Sequence, residues 1–204
     1  MESSAYTLKK VSTRDKLIDS AIKHLNSNGI DGFNVTELTK EAKVGYGTFY
    51  HYFKSTNEVL EVAMAVAMKN IVKDAQEFAD QTDDKGYAIA KGQLNLYRTL
   101  ISHPGTPWMM TQTTKFADML IENVSNHAKS VIKDAVDSGT YSEDLYKIFW
   151  LRFHLKMWCI IGGINECFRI GNSEELERQI LMLSVPQIGT LEQHNDCIER
   201  ALKD

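Results

Sequence analysis

From Leu17 to Leu25 apolar residues recur at helical spacing, with Ile18, Ala21 and Ile22 on the same face. The period predicts a first helix over 13–28, begun at Thr13 as a cap and ended by Gly29, where a left-handed residue is favoured. Ile30 to Asn34 reads as a short connector. Thr36 then opens a helix of one to two turns, with Leu38 and Ala42 as its buried edge. Gly45-Tyr46-Gly47 breaks the pattern and reads as a tight turn. Thr48 to Phe53 resumes it, with Phe49 and Phe53 four residues apart. Two short helices joined by a glycine-containing turn make a helix-turn-helix.

Lys54-Ser55-Thr56-Asn57 is a polar break, and a long helix is expected from Glu58 to Phe78 on residues such as Val59, Leu60, Ala63 and Ile71. Asp80 to Asp84 is the clearest linker. Beyond it the pattern predicts helices over 87–102, 108–137 with a break near Thr113, 142–169 and 173–185, then a short one over 190–202. His103-Pro104-Gly105-Thr106-Pro107 reads as a turn, since proline restricts itself and its predecessor. The fold class is therefore all-α with about nine to ten helices. It divides into a three-helix, helix-turn-helix domain over 1–56, a connecting helix and linker over 57–84, and a larger helical domain over 85–204.

Composition narrows the function. Apolar residues make up 43% of the 204 residues and charged residues 25%, an ordinary globular mixture. No apolar run reaches the roughly 20 residues that span a bilayer, and Met1 to Lys10 lacks the apolar core of a secretory signal. A cytoplasmic protein is expected, with Cys159, Cys167 and Cys197 as free thiols and no metal or other cofactor. The net charge of −4 is unevenly placed. Residues 1–55 hold eight Lys and Arg against six Asp and Glu, whereas the rest hold 15 against 21. A basic end on an acidic body orients such a chain on a polyanion. No nucleophile elbow, phosphate loop, His-Glu-x-x-His or paired-cysteine pattern is present, so an enzyme is not expected.

The short aromatic helix offers two faces. Phe49 and Phe53 lie about 40° apart and should face the core. Gly47, Thr48 and His51 lie opposite, with Tyr46, Tyr50 and Tyr52 flanking them. Hydroxyls, an imidazole and aromatic edges suit bases and phosphates. Gly45 and Gly47 remove bulk where a backbone must approach DNA closely. Thr36, at a helix start, suits a phosphate, as does Lys54. Lys9, Lys10 and Arg14 are placed to reach neighbouring phosphates or the minor groove. The helix carries no Arg, Asn or Gln for bidentate base reading, so specificity would rest on Tyr46, Thr48, backbone approach, DNA shape or the N-terminal arm.

The stretch Gly29–Leu60 resembles the tetracycline-repressor (TetR) family of bacterial regulators. The resemblance is carried by Gly32-Phe33, by Val35-Thr36-Glu37-Leu38, and above all by Glu41-Ala42-Lys43-Val44-Gly45-Tyr46-Gly47-Thr48-Phe49-Tyr50-His51-Tyr52-Phe53-Lys54-Ser55. Gly45 stands where the family commonly has serine. Thr56 stands where it commonly has a basic residue, and Lys54 is the nearest substitute for that phosphate contact. Beyond Asp84 only length and helicity agree. The resemblance implies a homodimer that binds double-stranded DNA at a palindromic operator, with half-sites about one helical turn apart. It implies a sequence-specific transcriptional regulator, a repressor released by a hydrophobic small molecule. The alternative is a family member without an inducer that acts constitutively or as an activator.

The resemblance also implies a subunit interface on the last two long helices, near Trp158, Ile161, Gly162, Asn165 and Phe168 with Leu176, Ile180 and Leu183. It implies a pocket among the middle helices. Leu94, Tyr97, Trp108, Met110, Phe116, Met119, Leu120, Trp150, Phe153 and Met157 are the candidate ligand-binding residues. Met109 and Phe149 belong to the same apolar set. His103, Arg152, His154 and Lys156 interrupt it and are expected mainly at the surface. The helix over 58–78 is the expected lever between ligand and DNA.

Overall fold

A computed structural model describes residues 12–29, 33–79, 83–186 and 190–203. Lys9, Lys10, the connector residues Ile30 to Gly32 and the linker residues Asp80 to Thr82 lie outside them. Among the described residues there are eleven helices and no strand. Two compact units meet inside one helix, the boundary falling between Val66 and Ala67.

In the first unit, α1 (Thr13–Asn28) packs on α2 (Val35–Ala42), which packs on α3 (Tyr46–Tyr52). Leu17, Leu25, Leu38 and Phe49 are fully buried, so the three helices share one core. The cap of α1 is Ser12 rather than Thr13: its hydroxyl accepts the Asp15 amide at 3.1 Å and donates to the Asp15 carboxylate at 2.7 Å. Asn34 caps α2 by accepting the Glu37 amide at 3.0 Å, which leaves Thr36 inside the first turn. Thr39 hydrogen-bonds back to the Val35 carbonyl, so its hydroxyl is satisfied in the core. The long helix α4 (Thr56–Ala79) starts two residues before the expected Glu58. Ser55 accepts the Glu58 amide and Glu58 accepts the Lys54 amide, a reciprocal cap that the polar break conceals.

The second unit holds α5 (Lys85–Ser102), α6 (Thr106–Met110), α7 (Thr113–Asp137), α8 (Glu143–Lys147), α9 (Phe149–Ile170), α10 (Glu174–Ser184) and α11 (Leu191–Lys203). Helix α5 is central and touches α6, α7, α9, α10 and α11. The break expected near Thr113 falls at Thr111-Gln112, and the count exceeds the nine to ten expected because the 142–169 segment is also interrupted, at Ile148. Pro107 lies in the first turn of α6, where its missing amide proton has no helical partner to lose. The predicted turn is present at Pro104-Gly105 and runs directly into this helix start.

A polar clamp fastens α5 to α10. Arg98 binds Glu177 through two hydrogen bonds, Nε to Oε1 at 3.1 Å and an Nη to Oε2 at 2.9 Å. Asn172 adds a bond to Oε1 at 2.8 Å. Burial pushes the Glu177 carboxyl up, but the Arg98 and Asn172 hydrogen bonds and the Arg98 charge outweigh it and hold it below its ordinary 4.5. Replacing Arg98 with leucine strands a buried carboxylate. About 2 kcal/mol of stability should be lost, less than for a fully buried pair because the arginine is partly exposed. A depressed acid contributes stability above its unfolded pKa and loses it as pH falls through the folded value. Urea melts should therefore show the Arg98→Leu deficit at neutral pH and its disappearance in acid below that value. A deficit independent of pH would contradict the assignment.

Candidate nucleic-acid interface

Helix α3 has seven residues, and an isolated helix so short does not hold itself together in water. Two aromatic anchors hold it: Phe49 is 0% exposed and Phe53 2%, with ring centroids 5.7 Å apart. Phe53 lies just past the helix end and its amide closes the last turn on the Phe49 carbonyl at 3.0 Å. The Arg14 guanidinium sits 5.3 Å from the Phe53 ring centroid and ties α1 to this anchor. Arg14 therefore has a structural contact in the place where the sequence suggested a phosphate partner.

The turn between α2 and α3 differs from the sequence expectation. Its left-handed residue is Lys43, at φ 56°, not a glycine. Gly45 has φ −70° and occupies the N-cap position, without a side chain to cap. Tyr46 and Gly47 are already helical. A Cβ on Gly47 would meet nothing within 4 Å, so packing within the protein does not require glycine there.

With the phenylalanines buried, the rest of α3 faces outward. Tyr46 is 56% exposed, Tyr50 52% and Tyr52 41%, while Gly47 and His51 are exposed and Thr48 half-buried. The Tyr46 and Tyr50 hydroxyls lie 3.3 Å apart, with ring centroids at 5.7 Å. The hydrogen bond to Tyr46 holds the Tyr50 phenol above its ordinary 10.0, so it stays neutral and able to donate. Thr36 and Gly45 are exposed, and so is Lys54 beyond the helix end. All nine candidate contact residues thus belong to the helix pair or its flanks, and eight of them are exposed.

Residues 17–63 match the family model described as "Bacterial regulatory proteins, tetR family". The helix-turn-helix unit over these residues is of the tetR-family type. The family is one of regulators and not of enzymes. A probable HTH-type transcriptional regulator, YttP of Bacillus subtilis (strain 168), is 40% identical over 52 residues, which are 26% of this chain and 25% of that protein. The chain thus matches about a quarter of the length of this curated relative. The crystal structure of RolR in complex with resorcinol superposes with a TM-score of 0.73 at 20% identity, covering 93% of this chain and 92% of that one. FadR from Bacillus subtilis in complex with stearoyl-CoA gives 0.60 at 19% identity, covering 85% and 98%. At such identities the likeness is one of fold.

The second unit contains two adjoining cavities, of about 80 and 200 Å³. Ile89, Ala128, Ile132 and Lys156 border both. Of the ten candidate ligand residues, Met157 lines the smaller cavity and Phe153 the larger. Leu94, Tyr97, Phe116 and Leu120 are buried core elsewhere. Trp108, Met110 and Met119 are half-buried, and Trp150 is 48% exposed, stacked edge-on against Phe149 with Lys129 over its ring. Tyr97 is committed to the Gly163 carbonyl and the Asn172 side chain. Among the polar interruptions, Lys156 and Arg152 border the cavities. His154 is exposed, and His103 accepts the Gly105 amide at 3.1 Å. Gln93, which the sequence reading passed over, lines the smaller cavity. Its position four residues after Ile89 on an otherwise apolar helix face was the available signal.

The face suggested for a second subunit divides in two. Ile161, Leu176 and Ile180 are buried within the chain. A Cβ on Gly163 would come within 2.3 Å of Ile180, so this glycine serves the α9–α10 contact of one protomer. Gly162 has open space and lies in an outward stripe with Leu151, Leu155, Trp158 and Asn165. Phe168 and Leu183 are exposed as well, at 44% and 76%.

Proposed function

We propose that the protein is a sequence-specific, DNA-binding transcriptional regulator of the cytoplasm that works as a homodimer on a palindromic operator. The observation that carries this reading is α3: its phenylalanines are buried and its tyrosines, His51 and Gly47 face outward. A helix so anchored presents Tyr46, Gly47, Thr48 and His51 to the major groove, while α2 lies across the backbone with Thr36 at its start. Two copies paired through the α9–α10 stripe would set two such helices on successive grooves. The cavities favour a repressor released by a small, mostly apolar effector over a constitutive factor, since a ligand with higher affinity for the non-binding state shifts the population away from DNA.

Gly47→Ala separates stability from recognition. The new methyl has room and alanine is the better helix former, so α3 should gain roughly 0.5–1 kcal/mol. The same methyl stands on the reading face, where backbone approaches DNA. Operator affinity, measured by fluorescence anisotropy, should fall by about tenfold, the equivalent of roughly 1.4 kcal/mol. Unchanged affinity would mean that this face does not meet DNA.

A further inference from the structure

The polar groups bordering the cavities are few and of one electrical character. The smaller cavity has Gln93 from α5, His127 from α7 and Lys156 from α9; the larger adds Arg152 from α9 and Ser184 from α10. Among the described residues, those bordering them from α4, α5, α8 and α10 contribute no titratable group, and no described Asp or Glu borders either cavity. Such a site disfavours a cation and offers an anion a positive field.

Gln93 is only 3% exposed, and both its amide oxygen and its amide nitrogen lack a hydrogen-bond partner among the described residues. A buried amide without partners is costly, and native interiors rarely keep one without a use. Lys156, from α9, is half-buried and lines the same cavity. Burial lowers its ammonium to about 8, so it keeps its charge at neutral pH with its hydration reduced. An amide donor and a desolvated ammonium opening on one small apolar cavity match a single carboxylate, which accepts from both.

We propose that the cavity takes an apolar molecule bearing one carboxylate, with Lys156 and Gln93 as the headgroup partners. The proposal rests on the effector reading above and specifies the effector's class. The apolar walls formed by Ile89, Leu96, Val131 and Met157 receive the body, and the ammonium and amide receive the charge.

The test titrates the full-length protein at neutral pH with octanoate, octan-1-ol and octylammonium, following heat by calorimetry. Octanoate should bind at least about tenfold more tightly than octan-1-ol, and octylammonium more weakly than both. Lys156→Met, of similar length and apolar, should abolish that preference while keeping octan-1-ol binding. Gln93→Leu should weaken octanoate and leave the melting temperature unchanged or higher. In the wild type, raising the pH well above the lysine's value should remove the preference; in Lys156→Met it should change nothing. Equal binding of octanoate and octan-1-ol, or a preference that survives Lys156→Met, would overturn the headgroup assignment and leave an apolar effector standing. No binding of any probe at millimolar concentration, with operator release also absent, would overturn both readings.

Discussion

Phe49→Ala should cost the first unit about 3–5 kcal/mol, the range for truncating a buried aromatic residue. Phe49 is fully buried and contacts Phe53 and Tyr50, so its removal deletes the anchor of α3 and leaves a cavity among α1, α2 and α3. A unit of this size has only about 5 kcal/mol or so of total stability, and most of it would be gone. Amide hydrogen exchange in the full-length protein reads this directly, since the amides of α1 to α3 should lose nearly all protection while those of α9 keep theirs. Tyr50→Ala, one residue along and 52% exposed, should change protection by less than about 0.5 kcal/mol. Its effect should appear in DNA affinity instead. If Phe49→Ala costs under about 1 kcal/mol, or Tyr50→Ala costs as much as Phe49→Ala, the assignment of buried and outward faces is wrong.

Leu151→Glu combined with Leu183→Glu should convert the proposed dimer to a monomer. The two leucines are 66% and 76% exposed, beside Leu155 at 57%, Trp158 at 48% and Met182 at 52%. So many large apolar side chains pointing outward from α9 and α10 mark an interaction surface. In a two-fold interface each substitution occurs twice, and each places an unpaired carboxylate in a desolvated seam at several kcal/mol. The dimer dissociation constant should rise by about a thousandfold or more. The protomer should keep its helicity, because neither leucine is buried within it. Sedimentation at micromolar concentration, with circular dichroism beside it, decides the matter. A dimer that persists would move the subunit interface elsewhere.

The fold was legible where sequence signals were local. Helix α1 runs over the expected 13–28 because Gly29 stops it, at φ 64° with its amide on the Leu25 carbonyl. Tertiary packing decided the rest. The glycines at 45 and 47 suggested the turn, yet the left-handed bend falls on Lys43 and both glycines adopt conformations open to any residue. Glycine permits positive φ without requiring it. The division of α3 into a core side and an outer side followed from the spacing of Phe49 and Phe53. The cavity wall did not follow from apolar content, because a methionine or aromatic residue filling a core looks the same in sequence as one lining a space. Phe116, Leu120 and Leu94 are core; Gln93 and Lys156, polar positions on apolar faces, carried the information.

In the proposed function α3 reads DNA as one of a symmetric pair. Selection of bound sequences from random double-stranded DNA tests it most directly, run with the wild type and with the Tyr46→Ala, Thr48→Ala double variant. The wild type should enrich an inverted repeat whose half-sites lie about one helical turn apart, roughly 34–36 Å. The variant, with its melting temperature intact, should enrich nothing. A wild type that enriches no sequence, or a variant that enriches the same repeat as strongly, would contradict the account.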